Sequence, residues 1–133
     1  MSARKTCGSR RADGRCCQVT RILVVDDDVT HAELMRVVLE DAAFRVVIAS
    51  GTRDLPSGQF SCVVTDLVTV GVYSFEDARD WILSLRDRYP AAPIIVTSAH
   101  REASDDAERL GVRVIVKPFD IDAFARTVRE VTS

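Results

Sequence analysis

The chain has 133 residues, a formal net charge of −2, 47% hydrophobic residues and 29% charged residues, the balance of an ordinary globular domain. This length allows one domain with a real hydrophobic core, and not two. Because no run of about eighteen apolar residues occurs and the first twenty residues contain no apolar block, we expect neither a transmembrane helix nor a signal peptide. We therefore expect a cytoplasmic protein.

Short apolar runs alternate along the chain with stretches of helical periodicity. The predicted strands cover residues 22–25, 45–50, 60–66, 92–98 and 112–118. The predicted helices cover residues 30–43, 74–89, 101–110 and 121–131, and residues 51–59 hold at most one helical turn. The regular alternation of strands and helices predicts an α/β protein with a doubly wound parallel sheet and helices on both faces.

Capping residues mark the ends of several of these helices. Asp28 and Asp120 are predicted to cap the N-termini of the first and last helices. Gly111 is predicted to end the helix over residues 101–110. Ser74, followed three residues later by Asp77, forms a pattern that resembles an N-terminal capping arrangement for the helix over residues 74–89. In the first helix, the apolar residues that predict the buried face are Leu34, Val37, Val38 and Leu39.

The first part of the chain differs from the rest in charge. Residues 1–21 hold six Lys or Arg and one Asp, whereas residues 22–133 hold twelve Lys or Arg and nineteen Asp or Glu. We predict that residues 1–19 form a basic disordered tail and that residues 20–133 form the folded domain. Three of the four cysteines lie in the tail, and we expect free thiols. Cys62 lies in an apolar run and is predicted to be a core residue.

Polar side chains stand where the predicted strands end. Three carboxylates, two hydroxyls and one ammonium group occupy these positions: Asp26, Asp27, Asp66, Thr97, Ser98 and Lys117. Because ligands of open α/β sheets bind at the carboxyl ends of the strands, we expect these groups to converge. Oxygen ligands of this kind suit Mg²⁺. Lys117 is the only lysine outside the tail of a chain with sixteen arginines, which indicates that a compact point charge is needed there.

Four motifs at these strand ends resemble those of the receiver domains of two-component response regulators. They are "ILVVDDD" at 22–28, "VVTD" at 63–66, "IIVTS" at 94–98 and "VIVKPF" at 114–119, and they occur in the family's order. The resemblance covers residues 20–133. It implies a flavodoxin-like five-stranded parallel sheet of strand order 2-1-3-4-5, with a second helix that is shorter here than is usual.

The resemblance also implies roles for individual residues. Asp66 would be the phospho-acceptor. The metal ligands for Mg²⁺ would be Asp27 directly, Asp26 mainly through water, Asp66, and the backbone carbonyl of Val68. Thr97 and Lys117 would bind the phosphoryl group, and Lys117 would also pair with Asp66. The peptide bond between Lys117 and Pro118 would be cis.

The expected partners of such a domain are a sensor histidine kinase or a histidine phosphotransfer protein, and a downstream protein. The resemblance implies that the surface that contacts the downstream protein would be formed by the helix over 101–110, the last strand and the last helix. A weak dimer is compatible with such a domain. We expect no separate enzyme substrate, no membrane contact and no direct DNA binding.

Besides the shorter second helix, the chain departs from the family pattern at two places. After Asp66 it reads "DLVTVGVYS", without the usual Met-Pro and Asp-Gly, and Val114 stands where the family often has an aromatic residue. These departures favour an alternative, a pseudo-receiver that binds other proteins without phosphorylation. A second alternative is a haloacid-dehalogenase-type phosphatase, because Asp26, Asp28 and Thr30 match the D-x-D-x-T motif, with Asp26 as the nucleophile.

Overall fold

The computed structural model describes residues 20–67, 75–98 and 101–133. Its strands are β1 (Arg21–Val25), β2 (Arg45–Ala49), β3 (Cys62–Asp66), β4 (Ile94–Ser98) and β5 (Arg113–Val116). Its helices are α1 (Val29–Asp41), α2 (Phe75–Arg88), α3 (Arg101–Arg109) and α4 (Ile121–Thr132). The predicted boundaries differ from these by one or two residues, as is usual at element ends. The predicted tail and the proposed cap at Ser74 lie outside the described residues.

The strands form one sheet of order β2-β1-β3-β4-β5, and every neighbouring pair is parallel. The predicted flavodoxin-like fold is therefore confirmed. The strand order reverses direction between β1 and β3. At such a switch point, the connections that follow the two neighbouring strands leave on opposite faces of the sheet, and a crevice opens between them. In the register, Asp66 at the end of β3 lies opposite Thr97 of β4.

Alternate residues of each central strand pack into two separate hydrophobic clusters. In β1, Ile22 and Val24 join the cluster formed with α1 and α4, whereas Leu23 and Val25 join the cluster formed with α2 and α3. Side chains of a strand point alternately to its two faces, so a strand covered by helices on both faces must be apolar throughout. The near-continuous apolar runs in the sequence reflect this double coverage.

The buried face of α1 differs in part from the predicted one. Asp28 caps the helix as predicted, because its carboxylate accepts a hydrogen bond from the backbone N–H of His31. With the start fixed there, the residues that face the sheet are Ala32, Met35 and Leu39, which are fully buried. Leu34 and Val37 are 46% and 59% exposed, so the prediction that they belong to the buried face is wrong. They lie at positions that the helical turn rotates toward solvent.

The connection from β2 to β3 contains only a one-turn 3-10 helix, Thr52–Asp54, as the Gly and Pro content predicts. Side chains at the end of α2 hold the rest of this connection. Arg88 donates a hydrogen bond to the carbonyl of Leu55 at 3.0 Å, and the Tyr89 hydroxyl donates to the carbonyl of Pro56 at 2.5 Å. The short connection is therefore tied to the following helix, on the face of the sheet that α2 covers.

The remaining local predictions agree with the structure. Asp120 caps α4 by accepting a hydrogen bond from the backbone N–H of Asp122, and Gly111 after α3 has a φ of +80°. Cys62 is fully buried, and burial raises the pKa of its thiol to about 12. Among the helices of the described segments, none has the length and apolar character needed to cross a membrane.

Candidate functional site

A cleft of about 200 Å³ opens at the carboxyl ends of β1, β2 and β3. Three of the carboxylates predicted to converge line it, those of Asp26, Asp27 and Asp66. A fourth, that of Asp77, comes from the first turn of α2. Trp81 and Ala78, also from α2, contribute an apolar wall. The sheet therefore lines the site with acids, whereas α2 contributes both an apolar wall and one further carboxylate.

Lys117 reaches Asp66 from the opposite side of β4. Its Nζ donates a hydrogen bond to Asp66 Oδ2 at 2.9 Å, and the two side chains are 20% and 9% exposed. The backbone N–H of Lys117 donates to the carbonyl of Ser98 at 2.8 Å, which fixes the chain where it leaves β5. The peptide bond from Lys117 to Pro118 is cis. In a site this sheltered, a point charge interacts more strongly with the carboxylate than it would in water.

Asp26 is held on both of its carboxylate oxygens. Its side chain is fully buried, and Oδ1 accepts a hydrogen bond from the backbone N–H of Asp28 at 2.9 Å. Oδ2 lies 2.6 Å from Nδ1 of His31, which stands in the first turn of α1. This explains how a run of three aspartates is accommodated. Asp26 is buried and paired, Asp28 caps the helix, and Asp27 remains exposed.

Two consecutive residues with hydroxyl groups, Thr97 and Ser98, end β4. Thr97 is fully buried, and its Oγ1 has no hydrogen-bond partner within the described ranges. Its neighbours in the register are Asp66 on one side and Ile115 on the other. Ser98, 1% exposed, comes next in the strand and therefore faces the other side of the sheet. A buried hydroxyl without a partner carries a free-energy cost of about 1–3 kcal/mol, which a ligand oxygen would relieve.

Trp81 connects the apolar wall of the cleft to β3. Its indole Nε1 donates to Thr65 Oγ1 at 2.9 Å, and that hydroxyl donates to the backbone carbonyl of Asp66 at 3.0 Å. Trp81 is the only tryptophan of the chain, so its emission reports on this cleft alone.

The residues fit a hydrated divalent cation better than a fully caged one. In the part of the chain that the structure describes, no group of three or more His, Cys, Asp or Glu side chains is placed to hold a metal ion by itself. Mg²⁺ commonly keeps several waters and needs only one or two carboxylates. The side-chain groups lining this cleft that can bind such a cation are carboxylate and hydroxyl oxygens. The cleft is compatible with such a cation. The proposed ligand Val68 lies outside the described residues.

Sequence reasoning missed His31, Trp81 and Asp77. The sequence does carry a signal for His31. If Asp28 caps the helix, His31 lies in the first helical turn, next to the acids that precede the helix. The other two residues belong to α2, and nothing in their local sequence indicates which strand end they approach. Their place in the site follows from the packing of α2 on β3.

The fold and the strand-end acids resemble those of receiver-type α/β domains, and comparison with known proteins supports this resemblance. The chain is 29% identical over 113 residues to the transcriptional regulatory protein ZraR of Salmonella typhimurium, and 27% identical over 114 residues to ZraR of Klebsiella oxytoca. Each alignment covers 82% of this chain and 25% of the relative, so the chain spans a quarter of the length of these relatives. No protein-family model matches the chain.

Solved structures of receiver domains have the same fold. The chemotaxis response regulator CheY4 of Vibrio cholerae superposes with a TM-score of 0.68 at 21% identity, over 86% of this chain and 99% of that one. A Burkholderia pseudomallei response regulator, solved with a phosphorylated aspartic acid, a calcium ion and citrate, gives a TM-score of 0.66 at 20% identity, over 84% and 70%. The resemblance to response-regulator receiver domains is confirmed, since the homologues are response regulators and the fold is theirs.

Proposed function

We propose that this domain accepts a phosphoryl group on Asp66 and passes the signal on by contact with another protein. The observation that carries the proposal is the 2.9 Å hydrogen bond between Lys117 Nζ and Asp66 Oδ2 at the edge of an acidic cleft. The relationship to response regulators supports it. The donor is a phosphohistidine of a sensor kinase or a phosphotransfer protein, or a small phosphodonor.

The chemical step is a phosphoryl transfer to a carboxylate. An oxygen of Asp66 forms a bond to phosphorus while the bond from phosphorus to the histidine nitrogen breaks. The electron pair of that bond stays on the imidazole nitrogen, which takes up a proton. Lys117 offsets the negative charge that Asp66 and the phosphoryl oxygens bring together.

Thr97 is assigned as the hydroxyl that donates to the phosphoryl group. Its buried Oγ1 has no partner among the described residues, and Thr97 lies directly beside Asp66 in the sheet register. A phosphoryl oxygen on Asp66 would supply the missing acceptor. Ser98 is the competing assignment, because it stands at the same strand end and is also buried.

Mg²⁺ is the proposed cofactor. Asp27 would bind it directly, Asp26 mainly through water, Asp66 through the accepting carboxylate, and Val68 through its backbone carbonyl. When bound, the cation supplies positive charge that offsets the charge of the transferring phosphoryl group. Asp27 suits direct binding because it is exposed at the cleft, whereas the oxygens of Asp26 already accept hydrogen bonds.

The proposed output is a change of protein contacts and not catalysis on a separate substrate. The surface proposed for it comprises α3, β5 and α4. Val116 and Ile121, which are 58% and 45% exposed, place apolar area there. Such a surface suits a protein partner or a weak dimer better than DNA or a membrane.

Incubation with Mg²⁺ and acetyl phosphate, followed by intact-mass and peptide mass spectrometry, tests the proposal. We expect one added phosphoryl group on the peptide that contains Asp66, and none in the Asp66→Asn variant. Beryllofluoride should shift the amide resonances of β4 and β5 in the wild-type protein. An unmodified wild-type protein whose spectrum does not move with beryllofluoride would reject phosphorylation.

A pseudo-receiver is the second candidate, and one observation favours it. Both oxygens of Asp26 are engaged by the chain itself, so this carboxylate has partners without a bound cation. The phosphatase alternative has less support. Lys117 is paired with Asp66, and Asp26, which that mechanism needs as a nucleophile, is buried and bonded to His31.

A further inference from the structure

His31 stands between the acidic cleft and the segment that follows Lys117. On one side, its Nδ1 lies 2.6 Å from Oδ2 of the buried Asp26. On the other side, its ring meets the ring of Phe119 edge to face, with centroids 5.6 Å apart and an interplanar angle of 63°. Phe119 in turn stacks on Phe124 of α4, with centroids 5.2 Å apart. A continuous set of contacts therefore joins a cleft carboxylate to the last helix.

The contact with Asp26 is directional. An ionised carboxylate can only accept hydrogen bonds, so Nδ1 is the donor when Asp26 is charged. The backbone N–H of Asp28 holds the other oxygen, and together the two donors fix the plane of the carboxylate. Each oxygen keeps a further lone pair, so a cation or its water can still be bound on the side of the cleft.

We propose that His31 is a positioning residue for the cation site: it orients Asp26 toward a divalent cation and couples the presence of that cation to Phe119. The inference rests on the proposed function, because it takes the cleft to be a Mg²⁺ site. Hydrogen bonds to metal-binding carboxylates fix their orientation, and loss of such a partner commonly weakens metal binding about 10- to 100-fold. The ring contact gives the same residue a second role, since a shift of Asp26 must move His31 against Phe119.

Two substitutions separate these roles. His31→Phe keeps an aromatic ring next to Phe119 but removes the donor to Asp26. His31→Asn keeps a nitrogen donor at the position of Nδ1 but removes the ring. Val37→Ala, at a position of α1 that is 59% exposed, is the matched control. His31→Leu is a second variant without a donor, for use if the phenylalanine variant does not fold by circular dichroism.

Mg²⁺ titrations followed by Trp81 emission give the affinity, and the amide shift of Phe119 at saturating Mg²⁺ gives the coupling. We expect His31→Phe to bind Mg²⁺ about tenfold more weakly than the wild-type protein. His31→Asn should bind within about threefold of wild type but show a much smaller shift at Phe119. Val37→Ala should match the wild-type protein in both measurements.

The outcomes separate this inference from the proposed function. A wild-type protein that binds Mg²⁺ while His31→Phe binds it equally well or more tightly overturns the inference alone. Equal loss of affinity in His31→Phe and His31→Asn also overturns it, because the donor would then not be responsible. Failure of the wild-type protein to bind Mg²⁺ overturns the metal site and the inference with it.

Discussion

Lys117 and Asp66 are 51 residues apart in the chain, yet Lys117 Nζ and Asp66 Oδ2 are joined by a hydrogen bond of 2.9 Å. The sheet order brings them together, because β4 separates β3, where Asp66 ends the strand, from β5, which leads into Lys117. Both side chains are mostly buried, so the pair is only weakly screened by solvent.

Replacement of Lys117 by glutamine should slow phosphorylation of Asp66 by about a hundredfold, since removing one donor aimed at developing charge commonly costs a factor of this size. A time course of intact mass with acetyl phosphate and Mg²⁺ measures the rate. Arg113→Ala is the control, because Arg113 lies on β5 and pairs with Glu130 away from the cleft. A Lys117→Gln protein as fast as the control would show that the ammonium group does not assist the transfer.

Replacement of Thr97 by valine should stabilise the protein by about 1 kcal/mol. Valine has the same shape as threonine, and the hydroxyl that it removes is buried without a partner in the described structure, which is costly. Urea denaturation followed by circular dichroism gives the free energy of unfolding. A loss of stability would mean that the hydroxyl is satisfied in solution, for example by an ordered water.

The same variant is expected to lose the response to beryllofluoride, whereas Ser98→Ala should retain it. The reason is that Thr97 lies beside Asp66 in the register and Ser98 faces the other side of the sheet. Amide spectra with and without beryllofluoride measure the response. The opposite result, with Ser98→Ala inactive and Thr97→Val active, would transfer the phosphoryl-binding role to Ser98.

The sequence predicts the fold well because burial on both faces of a parallel sheet leaves a local trace. Runs such as Ile22–Val25 are apolar at every position, and the first polar residue marks the end of the strand. Once the strands are known to be parallel, their carboxyl ends must share one edge of the sheet. The convergence of Asp26 and Asp66 on one cleft, and the approach of Lys117, could therefore be predicted.

The features that could not be predicted are the orientations of individual side chains and helices at that edge of the sheet. Asp26 and Asp27 are neighbours with the same chemistry, yet one is buried against His31 and the other is exposed. The direction of α2 across the sheet, which brings Trp81 to Thr65, also has no local signal. Helical periodicity was equally ambiguous for α1, where Leu34 is apolar but 46% exposed. Each of these features is decided by tertiary packing.

Adjacent residues of α2 should respond very differently to truncation. Ile82 is fully buried in the cluster between the sheet and α2, whereas Leu83 is 49% exposed. Ile82→Ala should lower the free energy of unfolding by about 2–5 kcal/mol, because it removes buried methyl groups and leaves a cavity. Leu83→Ala should change it by no more than about 0.5 kcal/mol. Comparable losses in the two variants, measured by urea denaturation, would contradict the orientation of α2.

Asp54 should titrate below the ordinary range of an aspartate. Backbone hydrogen bonds from Ser50 lower the pKa of this carboxyl from 3.8, with smaller contributions from the Ser50 hydroxyl and the Gly51 N–H. Its oxygens accept bonds from the Ser50 N–H at 2.8 Å and from the Gly51 N–H at 2.9 Å. Because the folded pKa is lowered, these bonds stabilise the protein at pH values above the unfolded pKa. That stabilisation is lost as the pH falls through the folded pKa.

An acid titration followed by the amide resonances of Ser50 and Gly51 measures this directly. The midpoint should lie below 3.8, and in Asp54→Asn the transition should disappear from both amides. The asparagine variant should also be less stable than the wild-type protein at neutral pH, by an amount that shrinks on acidification. That pH dependence separates loss of a charged acceptor from a general disturbance of the turn. A midpoint at or above the ordinary value would mean that the hydrogen bonds to Asp54 do not persist in solution, since only bonds to the ionised form lower its pKa.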